Sequence, residues 1–236
     1  MTDGTRVRLA TGTHGPDLPQ ELRNLVHQLS APLSHKVAVQ GKSFVLPTGE
    51  TSTGPIHAVI LDFVWVLVHY PTEWNETDPG EPDCWAIGRD TPESGKLLPH
   101  EGIKTPKAKS CAECPMNKWG SGRGKAKRCK NSRRLAIVPP EPSADATNAT
   151  LYVSPSGLKA FDSYVGDLAA QHGLLPFQVV TRIAFDPRTS YPTLTFKFDR
   201  VHELSGSILG IRTRAQQALW KPINLGTGAS GAGVTE

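Results

Sequence analysis

Ile56-His57-Ala58-Val59-Ile60-Leu61-Asp62-Phe63-Val64-Trp65-Val66-Leu67-Val68-His69-Tyr70 is the most apolar stretch of this 236-residue chain. Its wealth of Val, Ile, Phe and Trp predicts a long strand rather than a helix, because branched and aromatic side chains pack well on a pleated surface. With side chains alternating across a strand, Ile56, Ala58, Ile60, Val64, Val66 and Val68 share one face, broken by Asp62. His57, Val59, Leu61, Phe63, Trp65, Leu67 and His69 share the other. The first face reads as core. The second is either core beneath a helix or, at Phe63 and Trp65, a platform on which unpaired bases stack.

Shorter elements flank this strand. Upstream, residues 1–16 form a polar, glycine-containing arm, and Asp17 caps a short amphipathic helix carrying Leu18, Leu22, Leu25, Val26 and Leu29. Two short strands around Gly41 make a hairpin. Downstream come an extended piece at 84–87, a long polar connection, a strand at 134–138, another at 151–153, and a helix from Ser154-Pro155 to near Gly173 with Leu158, Phe161, Tyr164, Val165 and Leu168 on one side. Strands carrying Val179 to Phe185 and Leu194 to Phe198 are joined by Asp186-Pro187-Arg188, a last helix lies near 213–220, and the tail 226–236 is glycine-rich. Five or more short strands with one intervening helix predict a mainly β, α+β fold, a partly open barrel of the OB type over residues 17–225. With 38% hydrophobic residues the chain can bury a substantial core.

All four cysteines fall between Cys84 and Cys129, and Cys111-Ala112-Glu113-Cys114-Pro115-Met116-Asn117 is a CxxC knuckle. CxxC spacing lets two sulfurs from one turn reach the same ion, and Cys84 and Cys129 complete a tetrahedral set for one structural zinc. The redox alternative for CxxC lacks its usual βαβ surroundings. The first residues carry no secretory pattern, and no stretch reaches the apolar length of a membrane span, so a cytoplasmic protein without a membrane partner is expected. In such a reducing compartment thiols serve as ligands more often than as disulfides.

The whole chain carries +4, but residues 104–134 hold eleven basic side chains opposed by Glu113 alone. That segment is therefore +10 and the remainder −6. A single-sign patch this dense repels itself and is tolerated where a polyanion neutralises it. Within it, Gly120-Ser121-Gly122-Arg123-Gly124-Lys125 resembles a phosphate loop, yet Trp119 stands where the first glycine belongs and Ala126 where Ser or Thr would hold magnesium. A flexible, basic glycine loop suits a sugar-phosphate backbone better.

The series Pro82-Asp83-Cys84, then Cys111 through Ser121, then Gly124-Lys125 through Cys129 to Arg133-Arg134-Leu135-Ala136, resembles a group of bacteriophage single-stranded DNA-binding proteins. The Ser154-Pro155-Ser156-Gly157-Leu158-Lys159 helix start and the 180–196 hairpin are similar to that group as well. More remotely, the plan is similar to that of the T-even phage helix-destabilising proteins, with zinc built into an OB-fold. The resemblance implies structural zinc, sequence-tolerant single-strand binding and a role in phage replication or recombination. A histidine among the ligands of the T-even proteins makes His100 or His69 a candidate substitute here. Many single-strand binders carry an acidic tail, and Glu236, the one acid among residues 226–236, does not make one.

These readings give a basic zinc-binding insertion at 84–134. Lys118, Arg123, Lys125, Lys127, Arg128, Lys130, Arg133 and Arg134 are expected to line a groove, with Trp119, Trp85, Trp65 or Phe63 stacking bases. Trp119 is equally suited to packing over the sulfurs. Single-stranded DNA is the expected partner, with RNA and replication or transcription proteins as further candidates. Two other classes stand beside this one: a zinc-ribbon transcription regulator that binds polymerase or duplex, and a metal-dependent nuclease. Four sulfurs would close the coordination shell against the nuclease, and no spacing gathers an acid, a base and a nucleophile, so no enzymatic activity is expected.

Overall fold

In the computed structural model, residues 35–72, 81–143, 146–202 and 206–221 are described. The expected arm, first helix and tail lie outside them. The strands are β1 (Lys36–Gln40), β2 (Ser43–Val45), β3 (Thr51–Ser52), β4 (Ile56–His69), β5 (Cys84–Gly88), β6 (Lys130–Val138), β7 (Ala149–Val153), β8 (Val179–Phe185) and β9 (Leu194–Val201), with helices α1 (Leu158–Asp167) and α2 (Gly206–Leu219). They form one sheet in the order β3-β2-β1-β7-β6-β4-β8-β9, with β5 attached to β4. The β1–β7 pair is parallel and the others are antiparallel. The chain is mainly β, and its sheet curls into an open half-barrel. Across the curl, Phe44 of β2 stacks on Phe185 of β8 at 4.4 Å, and the Lys42 ammonium donates to the carbonyls of Asp186 (3.0 Å) and Thr189.

β4 is the spine. One of its edges pairs with β6 from Val59 to Val68, while the other takes β8 at Ile56–Ala58 and β5 at Trp65–His69. Helices cover both faces, which explains why β4 reads as a continuous apolar run. Phe161, Tyr164 and Leu168, on α1 and the wider turn that continues it, pack with Ala58, Ile60, Leu135 and Ile183. Ile208, Ile211, Ala215 and Leu219 of α2, at helical spacing, pack with Val59, Leu61, Val64 and Val66. The α1 segment stops at Gly173, whose left-handed φ of 63° suits a residue without Cβ. α2 begins seven residues earlier than its sequence suggests, at Gly206, because burial of Ile208 and Ile211 outweighs the poor helix propensity of Gly206 and Gly210.

Those contacts overturn the strict alternation expected along β4. The β4–β6 register jumps from Ile60↔Ile137 to Asp62↔Ala136, so Leu61 is the extra residue of a β-bulge. Before the bulge the even-numbered side chains face α1; beyond it Phe63, Trp65 and Leu67 take that side, and Val64 and Val66 join Val59 and Leu61 beneath α2. A one-residue insertion exchanges faces because the side-chain period is two. Side chains near the bulge satisfy its polar groups. Asp62 accepts a two-pronged bond from Arg89 (2.9 and 2.7 Å), one from Gln216 of α2 (2.7 Å) and one from the Phe63 N–H (2.7 Å). Arg212 of α2 donates to the Leu61 carbonyl at 3.0 Å. Burial pushes the Asp62 carboxyl up, but these bonds outweigh it and hold it below the usual carboxylate range.

Candidate metal centre and nucleic-acid interface

The bulge turns Trp65, Leu67 and His69 toward the connection between β5 and β6, where the cysteines lie. Trp65 and Leu67 form a small buried cluster with Ala86, Leu97, Cys111 and Cys129, against which Met116 packs. The cysteine segment, poor in apolar residues itself, thus borrows two large ones from β4. Backbone bonds fix its loops: Cys111 N–H donates to Leu97 (2.9 Å), Cys129 N–H to Met116 (2.8 Å) and His100 N–H to Trp85 (2.9 Å). The knuckle closes in a single 3-10 turn, Pro115–Asn117. The buried Asn117 amide donates to the Cys111 carbonyl at 2.9 Å, and the amide of buried Asn131 bridges Asn117 to the Cys129 carbonyl.

Cys84, at the head of β5, is directly opposite His69. Cys84, Cys111, Cys114 and Cys129 line one small cavity together with His69. Its volume is about 10 Å³, room for roughly one water-sized occupant. Burial pushes the Cys111 and Cys129 thiols up to about 12, and the neighbouring sulfurs push the same way. Burial also raises Cys84, against a bond from the Lys107 N–H. His69 is buried, its Nδ1 lies 2.6 Å from the Asp83 carboxylate, and Asp83 in turn pairs with Lys107 at 2.7 Å. Its other nitrogen, Nε2, is buried without a hydrogen-bond partner. An imidazole oriented by a carboxylate, with its second nitrogen unpartnered and four thiols lining the same cavity, is in its chemistry a donor set suited to zinc. Yet among the described residues no group of three or more His, Cys, Asp or Glu side chains is arranged so as to hold a metal ion. A ligand shell demands that donors converge within about 2.3 Å of one point, and neutral thiols sharing a cavity have no such reason to converge. His100, the other candidate histidine, is stacked on Trp85 at 3.7 Å and accepts the Gly102 N–H.

The expected wall of cations divides in two. Lys118, Arg123, Lys125, Arg128 and Lys130 are exposed around the cysteine loops, and Trp119 is 77% exposed. Half-buried Lys127 pairs with Glu93 at 3.2 Å and lies 5.3 Å from the Trp119 ring centre. The glycine loop, expected to be flexible, is a folded turn. Gly120 adopts φ 84°, Gly120 and Gly122 N–H groups donate to Ala126, and a Cβ at Gly122 would press on the Lys127 and Arg128 backbone at 3.1 Å.

Arg133, Arg134, Trp65 and Trp85, expected along the groove, are buried, and Phe63 is half-buried against the core beneath α1. Arg133 faces Trp65 across the strands with its guanidinium 3.8 Å from the ring centre, and it pairs with Asp162 of α1 at 3.0 Å. Arg134, on the opposite face, donates to the Tyr152 hydroxyl (2.8 Å) and to the carbonyls of Leu219 (2.9 Å) and Lys221 (2.8 Å), closing the end of α2. Phe63 meets Phe161 edge-on at 5.0 Å, and Trp85 is 8% exposed. The apolar run Leu135-Ala136-Ile137-Val138 that follows the arginines was the signal that they belong to a buried strand, which begins at Lys130. Asp83, which orients His69, carried no sequence signal beyond its place beside Cys84. Comparison with protein families, with curated proteins and with solved structures found no match.

Proposed function

We propose that this chain is a sequence-tolerant single-stranded DNA-binding protein whose basic cysteine segment is held in shape by one structural zinc. The observation that carries the reading is Trp119, 77% exposed at the foot of a glycine turn with the Lys127 ammonium 5.3 Å from its ring centre, in a segment where Lys118, Arg123, Lys125, Arg128 and Lys130 are exposed as well. A large aromatic ring kept in water among cations offers a base a stacking surface and its phosphates compensating charge. Such a contact depends on charge and on an open π-face, so it ignores sequence and favours unpaired strands. The role is binding, in presenting or protecting single strands during phage replication or recombination, rather than catalysis.

Cys84, Cys111, Cys114 and Cys129 would hold the zinc, with His69 Nε2 as the candidate replacement for one of them. What supports this is their shared cavity and the unpartnered nitrogen. When bound, the ion contributes folding free energy to the segment and draws the thiols into their deprotonated form. Asp83 keeps His69 oriented, and Asn117 and Asn131 hold the knuckle carbonyls. The curled, mainly β sheet is consistent with an OB-type barrel elaborated by added strands, and the OB assignment is part of this proposal.

The test is a salt-titrated binding assay comparing single-stranded DNA, RNA and duplex. Single-strand affinity falling steeply with salt is expected; equal affinity for duplex, or complex formation with RNA polymerase alone, would refute the reading. Metal analysis of freshly purified, reduced protein should find one zinc per chain.

A further inference from the structure

A second cationic feature lies outside the cysteine segment and has no part in the contact just described. In the register of the curled sheet His57 of β4 is directly opposite Arg182 of β8, and Arg182 is directly opposite Lys197 of β9. The three side chains therefore form one row across three strands, on the face away from α1, spanning about 10 Å at the usual strand spacing. The next pair on this face, Ala184 and Thr195, is small, and the Thr195 hydroxyl is turned back to the Ala184 carbonyl at 3.2 Å, so nothing bulky shields the row on that side. Asp199 is shared between His57 (3.1 Å) and Arg200 (2.7 Å). Arg182 and Lys197 have no ion-pair partner among the described residues.

Like charges directly opposite one another on a sheet destabilise it. Lysines on an edge strand also discourage unwanted strand pairing, and β9 is an edge, so that alone would account for Lys197. It does not account for Arg182, which sits on the strand inside the edge. We propose that the His57–Arg182–Lys197 row is a second phosphate-binding track, along which the backbone of a bound single strand crosses β4, β8 and β9. This rests on the single-strand-binding reading and extends it from one loop to the sheet. The row meets β4 twelve residues from His69, up to about 40 Å along the strand, so an oligonucleotide must be long to touch both.

The experiment compares wild type, the Arg182→Ala/Lys197→Ala double variant and the Lys197→Glu variant. Oligothymidylates of about 6 and about 20 nucleotides, lengths that bracket common site sizes, are titrated against salt. Loss of two phosphate contacts should lower the salt slope for the long oligonucleotide by about 1.4 and weaken binding roughly twentyfold near 0.1 M salt. Binding of the short one should be unchanged. Lys197→Glu gives Arg182 an opposite charge, so it should raise the melting temperature while weakening long-oligonucleotide binding, a pairing that a purely structural row would not give. Wild-type slope and affinity in both variants would overturn the track and leave the Trp119 contact standing. Failure of the wild type to bind either oligonucleotide would overturn both.

Discussion

Replacing Asp62 by alanine should unfold this protein more readily than any surface substitution, because four donors converge on one carboxylate at the bulge. Arg89 contributes two bonds, Gln216 one and the Phe63 N–H one, at 2.7 to 2.9 Å, with Asp62 7% exposed. Removing one partner of a buried pair costs about 3–5 kcal/mol. The Arg89 side chain is 50% exposed and can rehydrate, so the lower end, about 3 kcal/mol, is expected, with Gln216 and the Phe63 N–H left unsatisfied. For an m-value of about 2 kcal/mol/M in urea this moves the midpoint down by roughly 1.5 M. Asp62→Asn retains an acceptor for Phe63 and should fall between. The folded carboxyl is held below its ordinary range, so its contribution is present above the unfolded value of about 3.9 and disappears as pH falls through the folded value. Wild-type stability should therefore drop below about pH 4 by a component that the Asn variant lacks. Urea midpoints measured by tryptophan fluorescence decide the matter: a shift under about 0.5 M for Asp62→Ala would show that the bulge does not depend on this carboxylate.

Four further outcomes can be checked. Phe161→Ala empties a fully buried site touching Phe63 and Phe196 and should cost about 3–5 kcal/mol in chemical denaturation. Arg134→Met should lower stability by about 2 kcal/mol through the lost α2 contacts yet leave the salt slope of oligonucleotide binding unchanged, since that guanidinium does not reach solvent. Trp119→Ala should leave the melting temperature alone and weaken single-strand binding by about 1–3 kcal/mol, measured by anisotropy. Cys111→Ser with Cys114→Ser should abolish zinc in elemental analysis and loosen residues 89–129 in hydrogen exchange; full metal content in that variant would refute the ligand assignment.

The hairpin at Gly41, the strand of β4, the α1 segment ending at Gly173 and the β8–β9 pair were legible because each is written in local periodicity and turn chemistry. The clustering of cysteines and of positive charge was equally plain. Which cations face water was not legible, since Lys130 and Arg134 differ only by where β6 begins and by which helix covers it. Nor was the inward position of Trp65 and Trp85, whose residue type suits a core and a stacking surface alike. By itself the sequence determined that the chain builds a mainly β structure and gathers thiols and cations in one segment, because composition and short-range spacing suffice for both. The tertiary structure alone decided the face on which each residue past Asp62 lies. A single bulge inverts the alternation of every side chain beyond it, and that bulge is held by Arg89, Arg212 and Gln216, which are distant in sequence and come together only when β4, the end of β5 and α2 have packed.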